Sequence, residues 1–421
     1  MTGSKVRNWV APLGWGLFAL LSFLNIRAVV LGATPLGQPW QSANGHLLDY
    51  RDIVVVPGRW LWSGGNPYDP VPYLAAHPWA QEFDPYAPSW LLVSSAFCWL
   101  DIPVGGAIYL TVGSCIMAAT AVRLAKLIKP EWSWMLAPAV AVWMALWFPT
   151  RTSGSSFLLA CAATFLVTSP RTDASAWKRA LLLSIVLIKP QLGIPLSIML
   201  LAGHEWRVVW RGWLLMALAS LPAGIACIIA AGGPWEFAQS IGRVIQHASS
   251  PSAPTGILSP DSYRIDLPGL TARVTGEAPS TTLQLLLTAA TLVPAALVLW
   301  RRPGHPLTPV LMMGAVILVP LHFNYDLAFW PVAAAAAVSH ALQFRSKLSW
   351  ATALVATAVF LHLHRVTGAL GVTRLGGDIL DVALLLVSML LAAAVSMLGE
   401  PASPLDDTTD ITEGESKELL V

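Results

Sequence analysis

A chain of 421 residues that is 55% hydrophobic and only 11% charged, with a mean hydropathy of +0.62, departs from soluble globular composition and reads as an all-α polytopic integral membrane protein. Its formal charge of +2, with no long basic stripe, argues against nucleic acid as a partner and for membrane lipids. The four cysteines, Cys98, Cys115, Cys161 and Cys227, lie singly in apolar stretches without C-x-x-C spacing, so neither a disulfide framework nor a zinc site is indicated.

Crossing hydrocarbon takes about 20 apolar residues as helix. In chain order the apolar windows predict spans near 10–31, 103–125, 133–149, 153–169, 180–203, 212–231, 281–300, 308–321, 325–342, 349–364 and 379–398. The first follows Lys5 and Arg7, is longer than a signal-peptide core and has no small-x-small cleavage site after it, so it is expected to stay as an anchor. The stretch 88–100 is too short to cross and is expected to be re-entrant or interfacial. Counting that stretch and two arms of 180–203, the expectation is a bundle of about 11–13 helices.

Lysine and arginine in short loops set orientation. Lys5/Arg7, Arg123/Lys126/Lys129, Arg171/Lys178/Arg179, Arg207/Arg211, Arg301/Arg302 and Arg345/Lys347 are therefore expected in the cytoplasm. Keeping all of them there requires 180–203 to go out and come back, with Lys189-Pro190-Gln191 at the bend. Residues 32–102, 232–280, 322–326 and 365–378 then face outside, and both termini face the cytoplasm. Residues 1–399 read as one transmembrane domain, and 400–421 as an acidic, disordered cytoplasmic tail.

Chemistry-bearing residues gather on the outer side. Leu48-Asp49-Tyr50-Arg51-Asp52 sets two carboxylates beside the end of the first span, where an acid is solvated, paired or used. Asp52 is three residues from Asp49, on the same face if the segment is helical, and either supports Asp49 or pairs with Arg51. Lys189 sits between apolar flanks and needs an anion, unless its side chain snorkels to the surface. His322 lies in a His-Phe-Asn-Tyr-Asp run with Asn324 and Asp326, which reads as a phosphate- or hydroxyl-binding cluster or a plain helix connection. Arg151 and Arg264 face the same side, as lipid-headgroup contacts or local ion pairs. Trp60 to Trp90 is rich in aromatics and turn residues, a surface for a sugar or headgroup, or an interfacial belt. Asp101-Ile102-Pro103 reads as a helix start, and Asp378 and Asp381 as acids opening the last span. No P-loop, dinucleotide fingerprint or His-Glu-x-x-His is present, so no nucleotide or metal cofactor is expected.

The order Asp49, Gly65-Asn66-Pro67-Tyr68-Asp69, Tyr86-Ala87-Pro88, Ile188-Lys189-Pro190-Gln191 and His322-Phe323-Asn324-Tyr325-Asp326 resembles glycosyltransferase family 87 over roughly residues 10–345. Ala87 and Ser155 depart from the commoner residues there. The resemblance implies a GT-C bundle whose active site faces outside, and transfer of a sugar from a polyprenyl-phosphate donor to a cell-envelope glycolipid or glycan. Mannose is the sugar implied first and arabinofuranose second. It also implies that Asp49 is the general base of an inverting single displacement, supported by Asp52. Lys189, His322, Arg151 and Arg264 would contact the donor phosphate or lipid, and Tyr68, Tyr86, Gln191, Asn324 and Asp326 the sugar or acceptor. Two other classes compete: a transporter or flippase for a lipid-linked sugar, which calls for paired broken helices, and a noncatalytic membrane scaffold.

Overall fold

The computed structural model describes residues 3–33, 36–38, 49–147, 154–248, 257–258, 264–320, 322, 324–361, 370–371 and 373–398, and the regular structure among them is helical, without a β-strand. Helices α1 (Gly3–Leu31), α5 (Ile102–Ile128), α10 (Trp206–Ala231), α13 (Thr281–Arg301), α15 (Pro331–Phe344, lengthened by the preceding turn) and α17 (Arg374–Leu398) contain the six segments that, among the described residues, are long and apolar enough to cross a membrane. This is fewer than the sequence windows suggest. Windows 133–149, 153–169, 308–321 and 349–364 form α6 (Ser133–Trp147), α7 (Gly154–Thr168), α14 (Thr308–Leu318) and α16 (Lys347–Phe360), each 11 to 15 residues long. Eleven residues of helix extend only about 17 Å, against about 30 Å of hydrocarbon. Every residue of α14 is buried, so its apolar run reflects the interior of the bundle.

Window 180–203 is two helices, α8 (Ala176–Val186) and α9 (Pro190–Ala202). Arg179, in the first turn of α8, and Arg171 both pair with Glu205, just past α9, so the two helices begin and end at one level. Helices α8 and α9 therefore form a hairpin. A second hairpin, α14 and α15, has its base at the same end, where the His305 and His340 rings are 5.4 Å apart. Arg171 also donates to the Pro303 carbonyl, and His204 Nε2 contacts the Trp300 carbonyl at 3.1 Å, so both bases share that end of the bundle.

The other end carries an aromatic cap. A wide helical turn at Tyr50–Val55 runs into α2 (Val56–Trp62), followed by α3 (Pro70–Ala76) and the short α4 (Ser89–Phe97) that occupies the 88–100 stretch. Tyr50, Tyr68, Tyr73, Phe83, Tyr86 and Trp90 bury together against Tyr109 of α5. Residues 232–280, read from sequence as a loop, contain α11 (Pro234–Ala248) and α12 (Leu267–Thr275). Helix α11 docks on the cap through Arg243–Asp69 at 2.6 Å and Asn66 Nδ2 donating to Ser240 Oγ at 2.8 Å. Asp378 lies in the second turn of α17 and pairs with Arg273 of α12 at 2.7 Å, so it ties two elements together and does not open the helix.

Candidate functional site

The cluster forms where the two hairpin tips meet. Proline after Lys189 forces that residue out of the helical region, to φ −107° and ψ 95°, and supplies the first residue of α9. The return is tight: a Cβ on Gly193 would lie 2.6 Å from the Leu187 Cα, so only glycine fits. Lys189 is thereby held 2% exposed, its Nζ donating to Ser156 Oγ at 2.9 Å and lying 3.6 Å from Asp326 Oδ1. Ser156 stands in the first turn of α7, and Asp326 in the turn Asn324–Phe329 at the second tip.

His322, on the same tip, is fully buried. Its backbone is held on both sides: its N–H donates to Asp266 Oδ2 at 3.2 Å, and its carbonyl accepts from Ile265 N at 3.0 Å. Burial pushes its imidazole pKa down, against the opposing pull of Asp326. The neutral ring has one N–H. Nδ1 lies 2.8 Å from the Val319 carbonyl, which can only accept, so the proton sits there and Nε2 presents a lone pair. Nε2 has no hydrogen-bond partner among the described residues. Such an atom accepts from a hydroxyl, and it is not the phosphate donor expected from sequence.

The cap reaches the tips through Asp84-Pro85-Tyr86-Ala87-Pro88. Ala87 N–H donates to the Ile188 carbonyl at 2.8 Å, which pins this loop to the first tip. Tyr86 OH is 2.9 Å from Ser155 Oγ, and its ring stacks on Trp90 at 5.4 Å. Asp84, half-buried, feels Lys189 and Asp326; burial pushes its carboxyl pKa up, Lys189 opposes this and Asp326 reinforces it. Asp49, also half-buried, lies close enough to Tyr86 and Tyr109 to act on both phenols. The Tyr86 phenol is pushed well up by burial, with Asp84 and then Asp49 adding to the effect, so it stays protonated.

Other expected residues lie apart from this cluster. Both oxygens of Asp52 are engaged, Oδ1 by Arg51 Nε at 2.6 Å and Oδ2 by Arg51 at 3.0 Å and by Gln81 N–H at 3.1 Å. Burial raises the Asp52 pKa while Arg51 and Gln81 pull it back. Asp52 is thus a closed cap pair, and not the support for Asp49 that its spacing suggests. Tyr68 is buried and its hydroxyl donates to the Tyr86 carbonyl at 2.7 Å, so it shapes the loop and has no free face for a sugar. Arg264 closes a two-pronged pair with Asp266 at 2.8 and 2.9 Å, the local ion pair among its expected readings. Gln191 is half-buried in the first turn of α9. Arg151 and the side chain of Asn324 lie outside the described residues. Asp84 and Ser156 were missed as site residues, and Ser155 was noted only as a departure from a pattern. The one sequence signal for Asp84 is a carboxylate two residues before the Tyr-Ala-Pro element.

No group of three or more His, Cys, Asp or Glu residues able to hold a metal ion occurs among the described residues. Comparison of the chain with protein-family models, with curated proteins and with solved structures yields no match.

Proposed function

We propose that this protein is a membrane glycosyltransferase of the GT-C type, similar to family 87, that transfers a sugar from a polyprenyl-phosphate donor to a cell-envelope glycolipid or glycan. The observation that carries the reading is the convergence of Lys189, Asp326, His322 and Asp84 at two apolar hairpin tips, joined through Tyr86 to Asp49. Ionisable groups in such surroundings are functional by default. In the reaction the acceptor hydroxyl attacks the anomeric carbon while the bond from that carbon to the phosphate oxygen breaks. The acceptor proton passes to the Asp49 carboxylate, and the lipid phosphate leaves with the bonding electrons, so the donor configuration inverts. Lys189 balances charge on the departing phosphate. His322 Nε2 accepts from a hydroxyl of the sugar or acceptor, and Tyr86 stays protonated. Mannose is the favoured sugar and arabinofuranose its rival.

The basic residues support the orientation. Arg123, Arg171, Arg179, Arg207 and Arg301 lie at the hairpin-base end, which supports a cytoplasmic base and a cluster that faces outside. The tip-to-tip meeting of two short hairpins favours a second reading, a carrier of a lipid-linked sugar, because broken helices meeting inside a bundle build transport sites. The deciding experiment offers polyprenyl-phosphate mannose and polyprenyl-phosphate arabinofuranose separately to the purified protein in lipid, alongside Asp49→Asn. Transfer from one donor, lost in the variant, supports the transferase. Translocation of labelled donor without transfer supports the carrier.

A further inference from the structure

At the hairpin-base end, the first turn of α8 lies beside the start of α10, and the Trp177 and Trp210 rings are 6.4 Å apart. The Arg211 guanidinium lies over both indoles, 4.6 Å from the Trp177 ring centre and 5.5 Å from that of Trp210. A guanidinium held against aromatic rings still presents a fork of N–H donors that matches a phosphate. Its Nε is buried with no hydrogen-bond partner among the described residues. One turn earlier, Arg207 lies 5.7 Å over Trp206 and pairs with Asp173, a contact that is 53% and 86% exposed on its two sides and therefore weak. Lys178, next to Trp177 in sequence, is exposed. Around these cations Trp177, Trp206, Trp210 and Trp213 are 50%, 57%, 45% and 42% exposed.

Four half-exposed indoles on one face suit the boundary between headgroups and acyl chains, where an apolar ring carries a polar N–H. Cations set among them suit an anion at that same depth. We infer that the α8–α10 face at the hairpin base is a binding site for the headgroup of an anionic phospholipid, whose phosphate meets the edge of Arg211 with Arg207 and Lys178 beside it, while its chains lie along the exposed indoles. This inference stands apart from the proposed transferase activity, since the face lies at the end of the bundle opposite Lys189.

The test is native mass spectrometry of the delipidated full chain, offered phosphatidylglycerol or phosphatidylcholine with identical acyl chains. One basic residue near an anionic lipid surface is worth roughly a fivefold preference. Wild type is expected to retain phosphatidylglycerol preferentially, and R207Q/R211Q to lose roughly 25-fold of that retention, two such contributions. R301Q/R302Q, exposed at the same end on a different helix, is expected to keep it. Equal retention of the two lipids by wild type would overturn the site, as would an equal loss in R301Q/R302Q or no loss in a helical R207Q/R211Q. If the double variant does not fold, Arg211→Lys decides. It keeps the charge but not the guanidinium fork, so reduced retention supports the site and unchanged retention overturns it.

Discussion

The two ends of the α8–α9 hairpin carry buried charge in opposite ways. At the base Arg179 donates to the Leu166 carbonyl and pairs with Glu205, which also takes Arg171 at 3.2 Å, so charges close on one another. At the tip the partners of Lys189 include a neutral hydroxyl at 2.9 Å and a carboxylate at 3.6 Å, beyond the length of a charge-assisted hydrogen bond. Beside it stand a half-buried carboxyl and an imidazole lone pair without a partner among the described residues. Burial alone therefore does not identify a site. Arg179–Glu205, Arg51–Asp52 and Arg264–Asp266 are buried like Lys189–Asp326, and they hold elements together.

If that contrast is right, substitutions separate activity from stability. The largest expected effect is at the tip: Lys189→Met lowers sugar transfer by about 10²–10³-fold, the scale of losing one preorganised charge-stabilising donor. It also takes the cation away from the Asp326 carboxylate and costs stability, so transfer is compared per folded molecule. Loss of folding in Lys189→Met, with the remaining folded fraction fully active, would merge tip and base. At the base, Glu205→Gln strands Arg179 and costs about 3–5 kcal/mol in a denaturation experiment, while transfer per folded molecule holds.

Smaller effects sharpen the reading of the tip. His322→Phe removes the Nε2 acceptor and raises the KM for the hydroxyl-bearing substrate by about tenfold, whereas His322→Gln recovers part of it. A pH series tests the same ring. Burial lowers the folded pKa of His322, so below the ordinary histidine range the unfolded chain takes up a proton that the folded chain refuses. Stability is then lost as pH falls through the window between the ordinary and the lowered value, and His322→Gln flattens that slope. Tyr86→Phe removes the contact with Ser155 and is expected to cost about 1 kcal/mol, the smallest change of the set.

Much of the helical layout was legible in the chain. The Lys189-Pro190 step announces a break, because a proline cannot follow a helical residue without strain, and the basic loops require the path to turn back there. The number of crossings was less legible, because α14 is as apolar as a lipid-facing helix while packing on protein from all sides. Asp84 and Ser156 approach Lys189 from segments far away in sequence, and no local pattern reports such a meeting. Asp52 shows the reverse: its spacing from Asp49 suggested a shared face, but the adjacent Arg51 and the Gln81 N–H take both of its oxygens.

The central claim is that the hairpin tip, and not the charged base, receives the donor phosphate. The most direct measurement is the affinity of the purified protein for polyprenyl phosphate, compared among wild type, Lys189→Met and Glu205→Gln at a temperature where all three are folded. Binding at least about tenfold weaker in Lys189→Met, the loss of one hydrogen bond to a charged group, with Glu205→Gln at the wild-type value, is the predicted result. Unchanged binding in Lys189→Met, or an equal loss in both variants, would contradict it.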